Sequence, residues 1–416
     1  RKRLAAAFLF FAGGAAAAAA PLDDPALEAK AQRIHQRVLA LDTHVDIPED
    51  FATAAVDPGG FTKLQVDLPK MRAGGLDAAF FIVYTAQGPL TPEGFAAARR
   101  VAVAKAEAIQ RFAAAYPDEV GLARSAADAR AIARSGRKAA LMGMENAYPL
   151  GNSLDEVGAW ADAGVRYLGI THFGHNQFGD SANPNVEAGD AAARHGGLSD
   201  LGRALVPALN RAGIMVDVSH AARTTMMQAV ALSAAPIIAS HSAAAALADN
   251  PRNLDDEQLR AIAENGGVAQ IVALDVYLKP LTPAQIALQE KIRKEMKLDS
   301  AAARAAMTPE MEADYQRRME ALWTIEPRAS VADLVDHIDH AVKVAGVDHV
   351  GVASDFDGGG GIVGWENASE TLNVTRELVR RGYSQADIAK IWGGNLLRVL
   401  EDVERVAQKR QKAKVR

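Results

Sequence analysis

The chain has no cysteine among its 416 residues. Disulfides are excluded, so stability must come from the core. Cys-rich structural zinc is excluded as well. Any zinc would be held by imidazole and carboxylate, a ligand set that suits hydrolytic sites. Long apolar runs are scarce. One spans Leu4 to Ala20, behind Arg1, Lys2 and Arg3, and no second follows. A basic head, an apolar middle and an Ala-rich end read as a secretory signal over residues 1–20, with an uncleaved anchor as the rival reading. The expectation is export, to a bacterial periplasm, with no stable membrane span after processing. Clustered positive charge is scarce too. The chain carries 46 Lys and Arg against 51 Asp and Glu. Loss of residues 1–20 removes three basic residues and no acidic one, leaving 43 against 51. Lys409, Arg410, Lys412, Lys414 and Arg416 form the one strong basic run, which reads as a solvated tail over residues 409–416. Nucleic acid is not an expected partner. No repeat of about 40 residues is visible, which argues against a helical solenoid.

What is present is a large core. Hydrophobic residues make up 49% and charged residues 23%, the balance of a globular chain, read as one domain over residues 21–408. Eight strand-like runs lie between Val38 and Asp357: VLALDTHVD, LDAAFFIVY, AALMGME, YLGITHF, IMVDVSH, PIIASHS, VAQIVAL and HVGVASDFD. Each is nearly continuous in apolar character, as parallel strands buried on both faces are. Amphipathic helical stretches separate them, and several stop at Gly before the next strand. The alternation predicts an α/β fold, a (β/α)8 TIM-like barrel of the metal-dependent hydrolase type. Three connections are long. Residues 85–138 read as mostly helical, 174–199 as polar and Gly-rich, and 277–330 as a charged helical insertion from about residue 278. The last two follow the fourth and seventh runs, which places them on the catalytic face.

Polar residues close these runs. His44 and Asp46 form H-x-D, and positions i and i+2 of a strand face the same way, so both can hold one cation. Glu145 ends the third run; a carboxylate has two oxygens and can bridge two metals. His172 ends the fourth run, as a ligand or a substrate-binding group. His220 and His241 end consecutive runs, each after a Ser, which sets two imidazoles side by side. Asp355 ends the eighth and can carry a proton between water and a leaving amine. Asp357 is expected to face the same way as Asp355, or to anchor the Gly358–Gly361 turn. His337 and His340 read as a surface helix, His349 as lying at the wrong end of the barrel, and His175 and His195 as solvated loop residues. The DGGGG run lacks the Lys-Ser/Thr of a phosphate loop.

The constellation resembles the renal (membrane) dipeptidase family of zinc metallopeptidases, family M19 of the amidohydrolase-like barrels. Its carriers are DTHVD, GMEN, ITHF followed by Asp180, DVSH, IASHS, NPRN, SDFDG and GGNLLRVLE, spread from about Val38 to Val403. The resemblance implies two Zn²⁺. His44 and Asp46 would hold the first, His220 and His241 the second, and Glu145 would bridge them. His172 would polarise the scissile carbonyl and Arg252 of NPRN would grip the substrate's terminal carboxylate. Tyr277 would line the substrate site, and Asp355 would be the acid/base. A metal-bridging hydroxide would then hydrolyse dipeptides, with tolerance of a D-residue at the C-terminal position. A homodimer fits this picture. The chain departs from the animal members in lacking their cysteines and in its insertion. Two other readings stay open: the same barrel acting on an N-acyl amino acid, a cell-wall fragment or a secondary-metabolite precursor, and a non-catalytic binding protein.

Overall fold

A computed structural model describes residues 24–414 except 301–302 and 304–305. The expected signal over residues 1–20 lies outside the described residues. No described helix is long and apolar enough to cross a membrane.

Nine parallel strands form one sheet among the described residues: β1 (Leu41–Val45), β2 (Ala78–Tyr84), β3 (Val120–Leu122), β4 (Lys138–Glu145), β5 (Val165–Gly169), β6 (Met215–Asp217), β7 (Ile238–Ser242), β8 (Val268–Val272) and β9 (Val350–Ala353). Eight run in the order β1-β2-β4-β5-β6-β7-β8-β9. The ends of that path meet. Val45 bridges Phe356, the Asp46 amide donates to the Phe356 carbonyl at 2.8 Å, and the Asp355 amide donates to the His44 carbonyl at 3.1 Å. The result is the nearly closed (β/α)8 barrel expected. Closure also carries Asp355 to the side of His44 and Asp46.

Residues 85–138 are mostly helical, as read, but they also carry the short strand β3, which the sequence does not mark. This strand pairs with Lys138–Ala140 of β4, before β5 pairs with Met142–Met144. Three residues are too few to show a period, and the long helix Pro92–Ala115 and the helix Ala126–Arg134 dominate the pattern on either side.

Alternate residues of each strand enter different cores. In β2, Phe80, Ile82 and Tyr84 join Leu141, Tyr167, Met215, Ile238 and Val268, drawn from strands all round the ring, while Phe81 and Val83 pack in the second cluster with Ala102, Ala106 and Ile109 of the helix Pro92–Ala115. Both faces are dry, which is why the runs read as continuous. Helix starts are fixed by side chains: Thr91, Ser125, Ser199, Asp255 and Ser330 each accept a backbone N–H of the first turn. The insertion after β8 contains helices Pro283–Glu295 and Pro309–Met319 and has its own small core of Ile292, Leu298, Tyr315, Met319 and Leu322.

Candidate metal centre

His44, Asp46, Glu145, His172, His220, His241 and Asp355 meet at one end of the barrel, all buried. His44, Glu145 and His241 lie inside strands, and Asp46 one residue past β1. The other three lie beyond their strands, which is shorter pairing than the sequence suggests. His172 follows the end of β5 by three residues, His220 the end of β6 by three, and Asp355 the end of β9 by two. Two of them sit in left-handed backbone, His220 at φ 65° and Asp355 at φ 58°.

Three groups of potential ligand atoms each fall within 4.8 Å: His44, Glu145 and His241; Glu145, His172 and His220; and His44, Asp46 and Asp355. Glu145 is common to two of them. Its Oε1 is 3.1 Å from His220 Nε2 and 3.3 Å from His241 Nε2, and its Oε2 is 3.6 Å from His44 Nε2. His44 Nε2 is also 3.4 Å from Asp46 Oδ2 and 3.8 Å from Asp355 Oδ1. His172 Nε2 reaches Glu145 Oε1 at 3.9 Å, so distance alone does not separate it from the expected ligands.

The hydrogen bonds behind these groups decide where the imidazole protons are. Tyr167 donates its hydroxyl proton to the Thr43 carbonyl at 3.0 Å, so its oxygen accepts from His44 Nδ1 at 2.9 Å. His44 Nε2 then presents a lone pair to three carboxylates. Ser240 donates to Asp217 Oδ2 at 2.7 Å and accepts from His241 Nδ1 at 2.8 Å, which leaves a lone pair on His241 Nε2. That lone pair faces His220 Nε2 at 2.9 Å and Glu145. Acceptor faces acceptor around His44 and between His241 and Glu145, while His220, whose Nδ1 has no partner, can carry its proton on either nitrogen. His44 Nε2, Asp46 Oδ1 and Glu145 Oε1 are buried with no hydrogen-bond partner. Buried polar atoms without partners are costly, and a shared cation satisfies all of them at once. Nitrogen and oxygen donors without thiolate fit zinc or a similar divalent ion.

Electrostatics shows the same demand for positive charge, which a proton on His44 Nε2 meets where no cation does. Burial alone would lower the His44 pKa, but the carboxylates of Glu145 and Asp46 override it and hold it well above the ordinary value. Burial would raise Glu145, yet His172, His44, His220 and His241 hold it well below the carboxylate range. Burial keeps His220 and His241 well below the usual imidazole value, hence neutral and free to ligate. Asp355 moves the other way. Burial, with Asp46 and Glu145 nearby, pushes it well above the usual value against the pull of His44. A carboxyl whose proton is held more tightly than usual, at the rim of such a group, can both take up and give back a proton.

Arg252 lies beside this centre and is buried. Its Nη2 donates to the His241 carbonyl at 3.0 Å and its Nη1 to Ser242 Oγ at 3.4 Å, while Nε has no partner. No carboxylate among the described residues forms an ion pair with it. The Tyr277 ring lies 5.2 Å from its guanidinium carbon. Tyr277 is carried by the short helix Asp275–Leu278, and Asn253 holds its carbonyl at 2.8 Å.

Other expectations are corrected. His175 is buried, not solvated: its Nδ1 accepts from the Ser181 amide at 3.0 Å. Asp180 accepts from the amides of Arg194, His195 and Gly197, which pins the 174–199 loop, and Ser181 donates to the His172 carbonyl. His337 is not on a surface: it is buried between the Ala244 amide and the Leu278 carbonyl. Asp357 does not face the way Asp355 does; both its oxygens accept from the Gln65 amide. Sequence reasoning missed Tyr167, Asp217, Tyr84 and Lys105. A faint signal for one pairing was present, since a Ser precedes both His220 and His241, and Ser240 does orient His241.

A parallel barrel with carboxylates and imidazoles gathered at one mouth defines a metal-dependent hydrolase. The family model for membrane dipeptidase, peptidase family M19, matches residues 28–414, and the chain belongs to that family. It is a dipeptidase-type metallopeptidase. The dipeptidase aclJ of Aspergillus oryzae is 33% identical over 349 residues, covering 83% of this chain and 71% of that protein. The probable dipeptidase PvdM from Pseudomonas aeruginosa has a solved structure with a TM-score of 0.83 at 36% identity, covering 92% of this chain and 100% of that one. A metallo peptidase from Rhodobacter sphaeroides, solved with a phosphinate mimic of the dipeptide L-Ala-D-Ala, gives 0.66 at 25% identity, covering 88% of this chain and 99% of that one.

Proposed function

We propose that the chain hydrolyses dipeptides with a free C-terminal carboxylate, using two zinc ions that share Glu145. The observation that carries this is the pairing of two functions in one buried mouth. The unpartnered ligand atoms around Glu145 call for cations, and beside them Arg252 keeps a buried, uncompensated positive charge.

His44 and Asp46 would hold one ion, His220 and His241 the other. Such ions supply Lewis acidity, acidifying water and drawing charge from the scissile carbonyl. The chain's own groups do the rest. Arg252 takes the terminal carboxylate and sets the reading frame, one residue from the cut. The Tyr277 ring limits where that guanidinium can swing. His172, whose burial lowers its pKa so that it stays neutral, contacts the substrate carbonyl oxygen. Asp355 takes the proton from the attacking water and returns it to the leaving amine. The ligand held by the Rhodobacter sphaeroides relative supports a substrate with a D-residue at its C-terminal position. The basic head and apolar run of residues 1–20 support export to a periplasm, which N-terminal sequencing of protein from a periplasmic extract would test.

The test is purified protein loaded with zinc, offered L,L- and L,D-dipeptides, N-acyl amino acids and tripeptides. Dipeptides should be cleaved, chelation should stop turnover and zinc should restore it. Failure on every dipeptide at full metal occupancy sinks the reading; preference for N-acyl amino acids transfers it to a different amide.

A further inference from the structure

The buried residues of the helix Pro92–Ala115 are Phe95, Ala98, Ala102, Lys105, Ala106, Ala108, Ile109 and Phe112. Seven of these eight are apolar, and the other is a lysine only 6% exposed. Lysine is almost never this buried without an ionic partner. Among the described residues no carboxylate comes within ion-pair distance of it; burial lowers its pKa, and Asp46, Glu145 and Glu49 pull the other way from farther off. Its ammonium lies 5.3 Å from the centre of the Tyr84 ring. The same ring stands edge-on to His172, with centroids 4.8 Å apart. The long side chain therefore reaches from an outer helix over the end of β2 to the barrel mouth.

The position has a meaning in the ring of strands. In the order β1-β2-β4-β5-β6-β7-β8-β9, β2 and β7 are four places apart in eight, on opposite sides. Arg252 bonds to the end of β7 at His241 and Ser242. The two buried cations thus flank the metal centre from opposite sides. A dipeptide with its terminal carboxylate on Arg252 and its carbonyl at the centre sends its N-terminal residue toward β2. That residue carries an α-ammonium, and a bare lysine facing it would repel it. A negative side chain eases the conflict and supplies the close carboxylate that Lys105 lacks, since Asp46 and Glu145 are turned to the metal centre.

We propose that Lys105 is a second anion subsite, opposite Arg252, which selects dipeptides whose N-terminal residue has an acidic side chain. This rests on the dipeptidase reading above. The ring of Tyr84 shapes the approach and Lys105 supplies the charge.

Glu-Ala and Gln-Ala differ in that charge and in little else, so their ratio of kcat/KM is the measurement. Zinc-loaded wild type should favour Glu-Ala by at least about tenfold, through KM, as expected for a desolvated charge contact. In Lys105→Met the ratio should collapse toward one, and Lys105→Arg should restore much of it. A purely structural lysine would lower both substrates together and leave the ratio alone, which would overturn the proposal. A wild-type ratio near one overturns it without any variant, so misfolding of Lys105→Met cannot rescue it. If Gln-Ala and Ala-Ala are cleaved without any preference for Glu-Ala, only this inference fails. If no dipeptide is cleaved, the dipeptidase reading fails and takes this one with it.

Discussion

If Arg252 reads a substrate's terminal carboxylate as proposed, Arg252→Met removes the charge that does so. In the structure the guanidinium spends one strong bond on the His241 carbonyl, at 3.0 Å, and one long bond on Ser242 Oγ, at 3.4 Å. Another N–H direction meets Tyr277, and Nε is left without a partner. A carboxylate received in bidentate fashion makes two charge-assisted hydrogen bonds, each worth about 1.5–3 kcal/mol net. Two at the low end give about 3–4 kcal/mol, roughly 10²–10³-fold in affinity at 1.4 kcal/mol per decade.

The variant also strips the His241 carbonyl of its partner, and His241 is an expected ligand. A bare loss of activity would therefore be ambiguous. The assay that separates the causes compares a dipeptide with its C-terminal amide, in wild type and variant, at equal zinc content. Damage to the centre lowers both substrates equally and cancels in their ratio. Wild type should prefer the free acid by roughly 10²–10³-fold in kcat/KM, and the variant should show almost no preference. Arg252→Lys should fall between, because a point charge lacks the planar fork. Equal cleavage of acid and amide by wild type, or an undiminished preference in Arg252→Met, would refute the reasoning.

Tyr167→Phe deletes the acceptor for His44 Nδ1 without touching a ligand; zinc affinity, measured by chelator competition, should fall by about 10–100-fold, and unchanged affinity would remove Tyr167 from the site's support. Asp355→Asn should keep the metal and lose about 10²–10⁴-fold in kcat, whereas Asp46→Asn should lose metal as well; metal analysis beside turnover distinguishes a proton carrier from a ligand. His337 accepts from the Ala244 amide on Nδ1 and reaches the Leu278 carbonyl with Nε2, and burial lowers its pKa from the ordinary 6.5. Its folded pKa is depressed, so its contribution to stability is complete above pH 6.5 and is lost as pH falls below that. Thermal melts in EDTA should show His337→Gln losing less stability on acidification than wild type, and parallel pH profiles would contradict this.

The sequence made the site legible where backbone geometry is ordinary. His44 and Asp46 share a face because β1 continues past Val45 through the Asp46 amide bond to Phe356. Glu145 and His241 sit in regular strands, and their direction follows from the alternation. The same alternation fails for Asp355 and Asp357, both in left-handed backbone at φ 58° and 61°. Once the chain leaves extended geometry, i and i+2 no longer point together, and Asp357 turns to Gln65. The buried histidines outside the centre failed for another reason. His337 is satisfied by backbone groups distant in sequence, and His175 by the Ser181 amide and Ala191 carbonyl of its own irregular loop; no periodic pattern marks such partners. Lys105 was hidden in plain view, as a charged residue on a helix stripe that otherwise reads as core.

Strain and chemistry coincide at the mouth. Among the described residues, six non-glycine positions have positive φ, and Asn146, His220, Asp355 and Asp357 are four of them. Such conformations cost of order 1–3 kcal/mol each, and they persist only where the surroundings over-determine them. The surroundings here are identifiable. Asn146 receives Asn176 and the Tyr148 amide; the His220 carbonyl accepts from the Ala182 amide of the pinned 174–199 loop; Asp355 is tied to His44 by the bonds that close the barrel. Gly358 completes the set, since a Cβ there would overlap the carboxylates of both Asp46 and Asp355. The DGGGG run is thus a close-approach device: it lets the eighth wall strand's end pass beside the first, so that the carboxylates of Asp46 and Asp355 stand together at the mouth. Barrel closure and assembly of the centre are then one event. A change that loosens the β9 to β1 seam should reach the metal before it reaches the rest of the fold.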